Sequence, residues 1–329
     1  MNSNILEYIK ETVKEALESG KIKAFLGYTD VEGIPGTSRP YLAETPEDVD
    51  NLTFNSFCRQ NLIRLGGGKT NYFPELPGKK DKLGIMVKGC DSRSMLANTA
   101  EGKLDREKLW VVGVACPGTI NIERLRATLP AEIKTIKDDG TNLQIELVNG
   151  DGMKLDREEY LDVRCLNCKV TKPLDYNFFI PNDTMRTPTT HNFEWVEQYQ
   201  SKAFSERSEF IQSHLARCTL CFACRDACPA CYCNENCIMD RPKLAEPFLH
   251  KSNELKNILM YHFIHYYHLA DRCTGCGECT RACPENIPLN LITDALGHMQ
   301  KTAWNFEAGM SDKSKPPLLL IKNEEILED

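Results

Sequence analysis

The sequence predicts an α/β N-terminal domain with a partly parallel sheet, followed by an α-helical domain organised by cysteines. Three observations predict it. Two apolar runs, Leu83–Lys88 and Leu109–Val114, flank a helical stretch, the spacing of a βαβ unit whose strands run parallel. Near the C-terminus, Cys218–Pro229 and Cys273–Pro284 repeat one pattern of four cysteines closed by a proline. A helix-like segment, Leu255–Ala270, separates these two runs. The domain limits that follow are 1–155 for the α/β part, 156–204 for a connecting segment, and 205–329 for the cysteine-rich part.

Taken in order, Ile5, Leu6, Ile9, Val13, Ala16 and Leu17 share one helical face, and Gly20 supplies the stop. Ala24–Tyr28 reads as a short strand, followed by a Gly/Pro-rich loop through Pro40. Thr45–Asp48 looks like a helix start, and Phe54–Leu65 reads as helical, with Cys58 a small buried residue in its body. Gly66–Thr70 is no phosphate loop, because the pattern's first glycine would fall on Ile63; a glycine turn fits better. After the βαβ unit, Thr135–Val148 alternates as a hairpin turning at Asp138–Asn142. Ser205 caps a helix that delivers the chain into Cys218, and the tail from Lys313 reads as extended.

The βαβ unit has a consequence for chemistry. Gly89–Arg93 and Ala115–Thr119 follow neighbouring parallel strands, so both loops lie at the carboxyl edge, where open α/β sheets bind ligands. Cys90 and Cys116 are then neighbours in space. They read as a ligand pair, a redox pair, the lining of a flavin or docking edge, or small residues packed in tight turns.

Each C-terminal run has the form C-x2-C-x2-C-x3-C-P, the arrangement by which bacterial ferredoxins hold 4Fe–4S cubes. The two-residue spacing lets a tight loop present three thiolates to three irons. The fourth cysteine serves the other cube. Cluster I therefore takes Cys218, Cys221, Cys224 and Cys283, and cluster II takes Cys273, Cys276, Cys279 and Cys228. Five further cysteines have ligand-like spacing: Cys165, Cys168, Cys231, Cys233 and Cys237. Four of these five would make a third site, read as another 4Fe–4S cluster, with a four-cysteine zinc as the alternative. His262, His265 and His268 recur every third residue; ligation, a hydrogen bond to a carbonyl or cluster sulfur, and a partner-facing surface are all open readings.

Bulk composition excludes several classes. Forty basic against forty-seven acidic residues give a net charge of −7, and no long basic run offsets it, so neither nucleic acid nor an anionic membrane is the expected partner. The first residues mix glutamate and lysine with apolar side chains and form no secretory core. No stretch approaches the roughly 18 apolar residues of a membrane span. The sixteen cysteines then belong to a reduced, cytoplasmic and anaerobic setting.

Five segments carry a family resemblance: Lys88-Gly-Cys-Asp-Ser-Arg93, Val111–Thr119 with its Ala-Cys-Pro-Gly, Arg164-Cys-Leu-Asn-Cys168, the Arg217–Cys233 run, and His265-x2-His268-Leu-Ala-x-Arg-Cys273. In this order they resemble iron–sulfur proteins related to the beta subunits of deazaflavin-reducing hydrogenases and formate dehydrogenases. Such proteins accompany heterodisulfide-reductase-type complexes. The resemblance implies an electron-transfer subunit between a hydrogenase, formate dehydrogenase or similar catalytic subunit and a flavin-containing partner. Relatives of this kind can bind FAD and reduce a deazaflavin, but their Gly-Gly flavin segment has no match in context here. A flavin-containing reductase subunit acting on a small electron carrier is accordingly the second reading. No G-x-G-x-x-G follows any candidate strand.

Overall fold

In the computed structural model, residues 3–64, 81–189, 193–231, 254–313 and 316–319 are described. Gly66–Thr70, Cys233, Cys237 and most of the tail lie outside them. The chain divides into two compact units. The first comprises residues 1–62, 72–92 and 105–191; the second comprises 63–71, 93–104 and 192–329.

The first unit is built on a five-stranded sheet of order β2-β1-β3-β4-β8. Its strands are β1 (Ala24–Asp30), β2 (Ser38–Ala43), β3 (Leu83–Val87), β4 (Leu109–Val114) and β8 (Phe178–Ile180). The β1–β3, β3–β4 and β4–β8 pairs are parallel, whereas β1–β2 is antiparallel. Every residue of β3 and β4 is buried, which explains why both read as unbroken apolar runs: a central parallel strand is covered on both faces. Gly84 is required here, because a Cβ would stand 2.6 Å from the Phe25 ring. Helix α1 (Ser3–Glu18) buries Ile9, Val13 and Ala16, the stripe its periodicity predicts.

Three expectations are corrected. The loop through Pro40 contains β2, in which Pro40 pairs with Tyr28. Proline is tolerated because β2 is an edge strand. Phe54–Leu65 forms no helix over its described residues; the Asn55 side chain accepts from the Phe57 amide at 2.8 Å, an alternative to the helical ladder. Cys58 is nonetheless fully buried. Gly89–Arg93 is not a loop but the first turn of helix α2 (Gly89–Ala100).

The predicted hairpin is β5 (Ile133–Asp138) and β6 (Asn142–Leu147), and β7 (Gly152–Asp156) extends it to a three-stranded antiparallel sheet. Ile133, Leu143, Ile145 and Leu147 face one core with Ile122 and Leu125 of helix α3 (Ile122–Thr128). At the sheet's end Arg157 Nε pairs with buried Asp138 at 2.8 Å and its Nη2 reaches the Pro117 carbonyl at 2.6 Å. Part of the segment read as a connector is structural, since β8 completes the larger sheet.

The second unit is helical. Helix α4 (Val163–Leu166) belongs to the first unit, and α5 (Glu194–Gln200), α6 (Phe204–Leu215) and α7 (Ala223–Ala227) to the second. The helices Leu255–Tyr267, Glu278–Arg281 and Asn290–Trp304 follow. Leu215, Ile258, Tyr261, Tyr266, Leu269, Ile287 and Leu289 form its core together with Cys224 and Cys279.

Candidate iron–sulfur centres

The two cysteine runs fold alike, and the backbone shows why. Around the middle cysteine of each run, the residues before and after take left-handed conformations: Leu220 (φ 54°) and Phe222 (φ 62°) in the first, Gly275 (φ 67°) and Gly277 (φ 80°) in the second. This winding turns three thiols inward over a short span. Glycine adopts it freely, whereas an L-residue gives up about 1–2 kcal/mol. The first loop offsets that strain by packing. Leu220 and Phe222 both meet the core, and the Phe222 ring lies 5.1 Å from that of Tyr261. Gly277→Ala, which gains no such packing, should lose about 1–2 kcal/mol of stability. Anaerobic denaturant unfolding checks this.

A short helix follows each loop, α7 in one and Glu278–Arg281 in the other, and the two pack together. Cys283 is thereby brought to the first loop: a cavity is lined by Cys218, Cys221, Cys224 and Cys283, with Tyr261, His262 and Glu285. Cys228 comes to the second loop. Burial pushes its thiol well above the ordinary range, followed by the charges of Cys276, Cys231, Cys273 and Cys279. Cys276 is pushed up to about 12 by burial and then by Glu278, and Cys224 to about 12 by burial, against the Tyr261 hydroxyl. These thiols ionise readily only on metal, which deprotonates a coordinating thiol outright. Among the described residues, no three metal-binding side chains converge closely enough for a single ion. A cube asks for something wider, since each cysteine binds its own iron.

One further observation fits cubes. Tyr266 is 3% exposed, its hydroxyl has no hydrogen-bond partner among the described residues, and burial raises its pKa with Cys279, Cys224 and Cys228 adding their charges. An orphaned buried hydroxyl is costly, and inorganic sulfide between the two runs would satisfy it. The second half of helix α2 braces the same region. Ser94 Oγ lies 3.3 Å from Thr274 Oγ1, and Asn98 Nδ2 donates to the Pro229 carbonyl at 3.1 Å.

The first unit gathers a different set. Thr119 N donates to Cys165 Sγ at 3.2 Å, and Gly118 N to Cys116 Sγ at 3.4 Å. Burial pushes Cys116 up to about 12, with the charges of Cys165 and Cys168 beside it and that of Lys88 opposing. The Cys116 amide donates to the Thr171 carbonyl at 3.0 Å, which fixes the Cys165–Cys168 loop against the end of β4. Cys90 follows Gly89, whose backbone packs against Val170. A Cβ on Gly89 would fall 1.6 Å from the Val170 carbonyl oxygen, so only glycine permits this approach. Gly89→Ala should displace the loop and destabilise the protein by at least about 1–3 kcal/mol, readable in thermal unfolding.

Lys88 stands beneath this edge, 2% exposed. Its Nζ lies 3.0 Å from Asp91 Oδ2 and 3.1 Å from the Gln60 carbonyl, and also contacts the Tyr28 hydroxyl. Burial opposes its charge, but Asp91 and Tyr28 outweigh it and hold the ammonium above the ordinary lysine range.

Of the five cysteines grouped by spacing, Cys165 and Cys168 thus lie beside Cys116. Cys231 lies beside Cys228, its amide donating to the Cys228 carbonyl at 3.2 Å. Cys233 and Cys237 are outside the described residues. The role of Lys88 escaped the sequence reading, although a lysine ending a buried strand is itself a signal.

The three histidines separate. His262 Nε2 lies 3.4 Å from Cys218 Sγ. His265 is buried, which lowers its pKa to about 3, with His262, Arg225 and His268 adding to the effect. Because this folded pKa is below the unfolded value of about 6.5, the unfolded chain binds the proton first. Stability is then lost as pH falls from about 6.5 toward 3, at about 1.4 kcal/mol per unit. His265→Gln should flatten that limb of the stability curve relative to the parent protein.

Comparison with known proteins adds to this geometry. Residues 214–287 match the 4Fe-4S dicluster domain family. The chain is an iron–sulfur electron-transfer protein. It is similar to the F420-dependent formate dehydrogenase subunit beta of Methanocaldococcus jannaschii, 22% identical over 297 residues, covering 73% of this chain and 77% of the relative. Among solved structures, a chain of the F420-reducing [NiFe] hydrogenase complex from Methanosarcina barkeri matches with a TM-score of 0.34 and 17% identity, over 54% of this chain and 64% of that one. The match therefore spans just under two thirds of the hydrogenase chain. Among the described residues, no helix is long and apolar enough to cross a membrane.

Proposed function

We propose that this protein is a relay subunit. It passes electrons between a catalytic oxidoreductase subunit, of hydrogenase or formate dehydrogenase type, and a flavin-containing partner of heterodisulfide-reductase type. The observation that carries the reading is the crossing of the fourth cysteines, Cys283 beside the first loop and Cys228 beside the second, around a shared core. Crossed ligation makes neither cube separable from the other, as a wire requires.

In this reading the α/β unit carries a third 4Fe–4S cluster of its own, held by Cys90, Cys116, Cys165 and Cys168. What supports this set is the burial of Cys116 beside Cys165 and Cys168, with amide donors aimed at two of the sulfurs, and the place of Cys90 at the carboxyl end of neighbouring β3, next to the Gly89 that packs on Val170. Metal ligation by Cys231, Cys233 and Cys237 is not needed for it. Sixteen cysteines with reduced-metal chemistry fit the cytoplasm of an anaerobic cell.

The second reading, a flavin-containing reductase acting directly on a small electron carrier, draws on the relative whose name is F420-dependent formate dehydrogenase subunit beta. Anaerobic purification followed by iron, zinc and flavin counts separates the readings. The relay predicts about twelve irons per chain and no stoichiometric flavin. About eight irons with one zinc would replace the third cube by a structural zinc, and one flavin per chain would favour the reductase.

A further inference from the structure

We infer that Tyr261 and His262 selectively set the reduction potential of cluster I, by donating hydrogen bonds to two of its ligand sulfurs. The inference rests on the reading of Cys218, Cys221, Cys224 and Cys283 as one cluster's ligands.

Both residues lie on the Leu255–Tyr267 helix, between the two cysteine runs, and both are buried, at 1% and 3% exposure. Tyr261 Oη is 3.2 Å from Cys224 Sγ, and His262 Nε2 is 3.4 Å from Cys218 Sγ. Both contacts are within reach for sulfur. The same two side chains line the cavity that the four cysteines share. A coordinated thiolate has no proton, so the direction of each bond is fixed: the phenol O–H and the imidazole N–H donate, and sulfur accepts. The rings hold these positions through packing. Tyr261 stacks on His265, rings 5.8 Å apart and 6° from parallel, and meets Phe222 on another side.

The consequence follows from charge. Reduction adds one electron to the cube, with no bond made or broken, and leaves the cluster one unit more negative. A donor aimed at a ligand sulfur stabilises the reduced form more than the oxidised one, and hydrogen bonds to sulfur are among the determinants of cluster potential. The neighbours argue for selectivity. The Tyr261 hydroxyl and the His262 imidazole contact Cys224 and Cys218, both cluster I ligands, and line the cavity that cluster I's four cysteines share. One of this cluster's ligands, Cys221, is exposed. The helix thereby tunes a cube that reaches solvent, where a partner could exchange electrons with it.

Tyr261→Phe keeps the ring and removes only the donor, and His262→Leu removes the second. The test is a redox titration of the holoprotein with a chemical reductant under anaerobic conditions, monitored by electron paramagnetic resonance. Cluster I's signal is assigned as the one perturbed by Cys221→Ser, because Cys221 belongs to the first run whether or not the fourth ligands cross. Each variant is expected to lower cluster I's equilibrium constant for reduction about tenfold, about 59 mV for one electron, and to leave cluster II in place. His262→Gln, whose amide can donate, should restore part of the shift. Unchanged potentials with iron content retained, or equal shifts in both clusters, would overturn the inference. A parent protein that binds no iron would instead overturn the ligand reading beneath it.

Discussion

Cys116→Ser is expected to lower the iron content by about four atoms per chain, from about twelve to about eight, while the two ferredoxin-type signals persist. Cys116 is the centre of the α/β site. Its thiol is buried beside Cys165 and Cys168, its amide ties the C-x2-C loop, and its sulfur accepts from Gly118. Serine keeps the size and the backbone bonds but supplies a poor iron ligand, so the fold should survive the change. Cys90→Ser, Cys165→Ser and Cys168→Ser should give the same loss. Iron analysis with spectroscopy on each variant checks the set. A zinc site in their place would leave iron unchanged and remove zinc.

Lys88→Met carries the second large effect, a loss of about 3–5 kcal/mol in stability. The substitution strands Asp91, which is fully buried and also accepts from the Lys88 amide at 2.9 Å. An uncompensated buried carboxylate is the expensive outcome, more so than the loss of attraction itself. Lys88→Met combined with Asp91→Asn should therefore recover much of the loss. Denaturant titration of the parent, the single variant and the double variant checks this. If the single variant lost under about 1 kcal/mol, the pair would be solvated in solution.

Much of the architecture was legible because it rests on local chemistry. Leu83–Val87 and Leu109–Val114 are apolar throughout because both faces are covered, and nothing but a central parallel pair suits them. The doubled cysteine spacing makes the two loops legible, and Cys283 lies beside the first loop and Cys228 beside the second. What was not legible depends on distant partners. Pro40 conceals an edge strand whose only evidence is its pairing with β1. β8 is three residues long and takes its place by lying beside β4. In the second cysteine run Gly275 and Gly277 announce their left-handed turns, but Leu220 and Phe222 in the first run conceal the same turns under side chains that pack.

The cysteines teach the same lesson. Spacing groups residues by ligand-like intervals in the sequence, which associates Cys165 and Cys168 with Cys231, Cys233 and Cys237. Sheet topology groups residues that end neighbouring elements, and it sets Cys165 and Cys168 beside Cys116. The βαβ unit points to Cys90 and Cys116 at one edge, and only the close approach of Gly89 to the Val170 carbonyl, invisible in the spacing, links that edge to the segment after Cys168.

In the proposed relay, two ferredoxin-type cubes exchange their fourth ligands. Cys283→Ser and Cys228→Ser test it as a pair, by electron paramagnetic resonance of the reduced protein. With crossed ligation, Cys283→Ser disturbs the cluster held by Cys218, Cys221 and Cys224, and Cys228→Ser disturbs the one held by Cys273, Cys276 and Cys279. Each variant disturbing the cluster of its own run would contradict it.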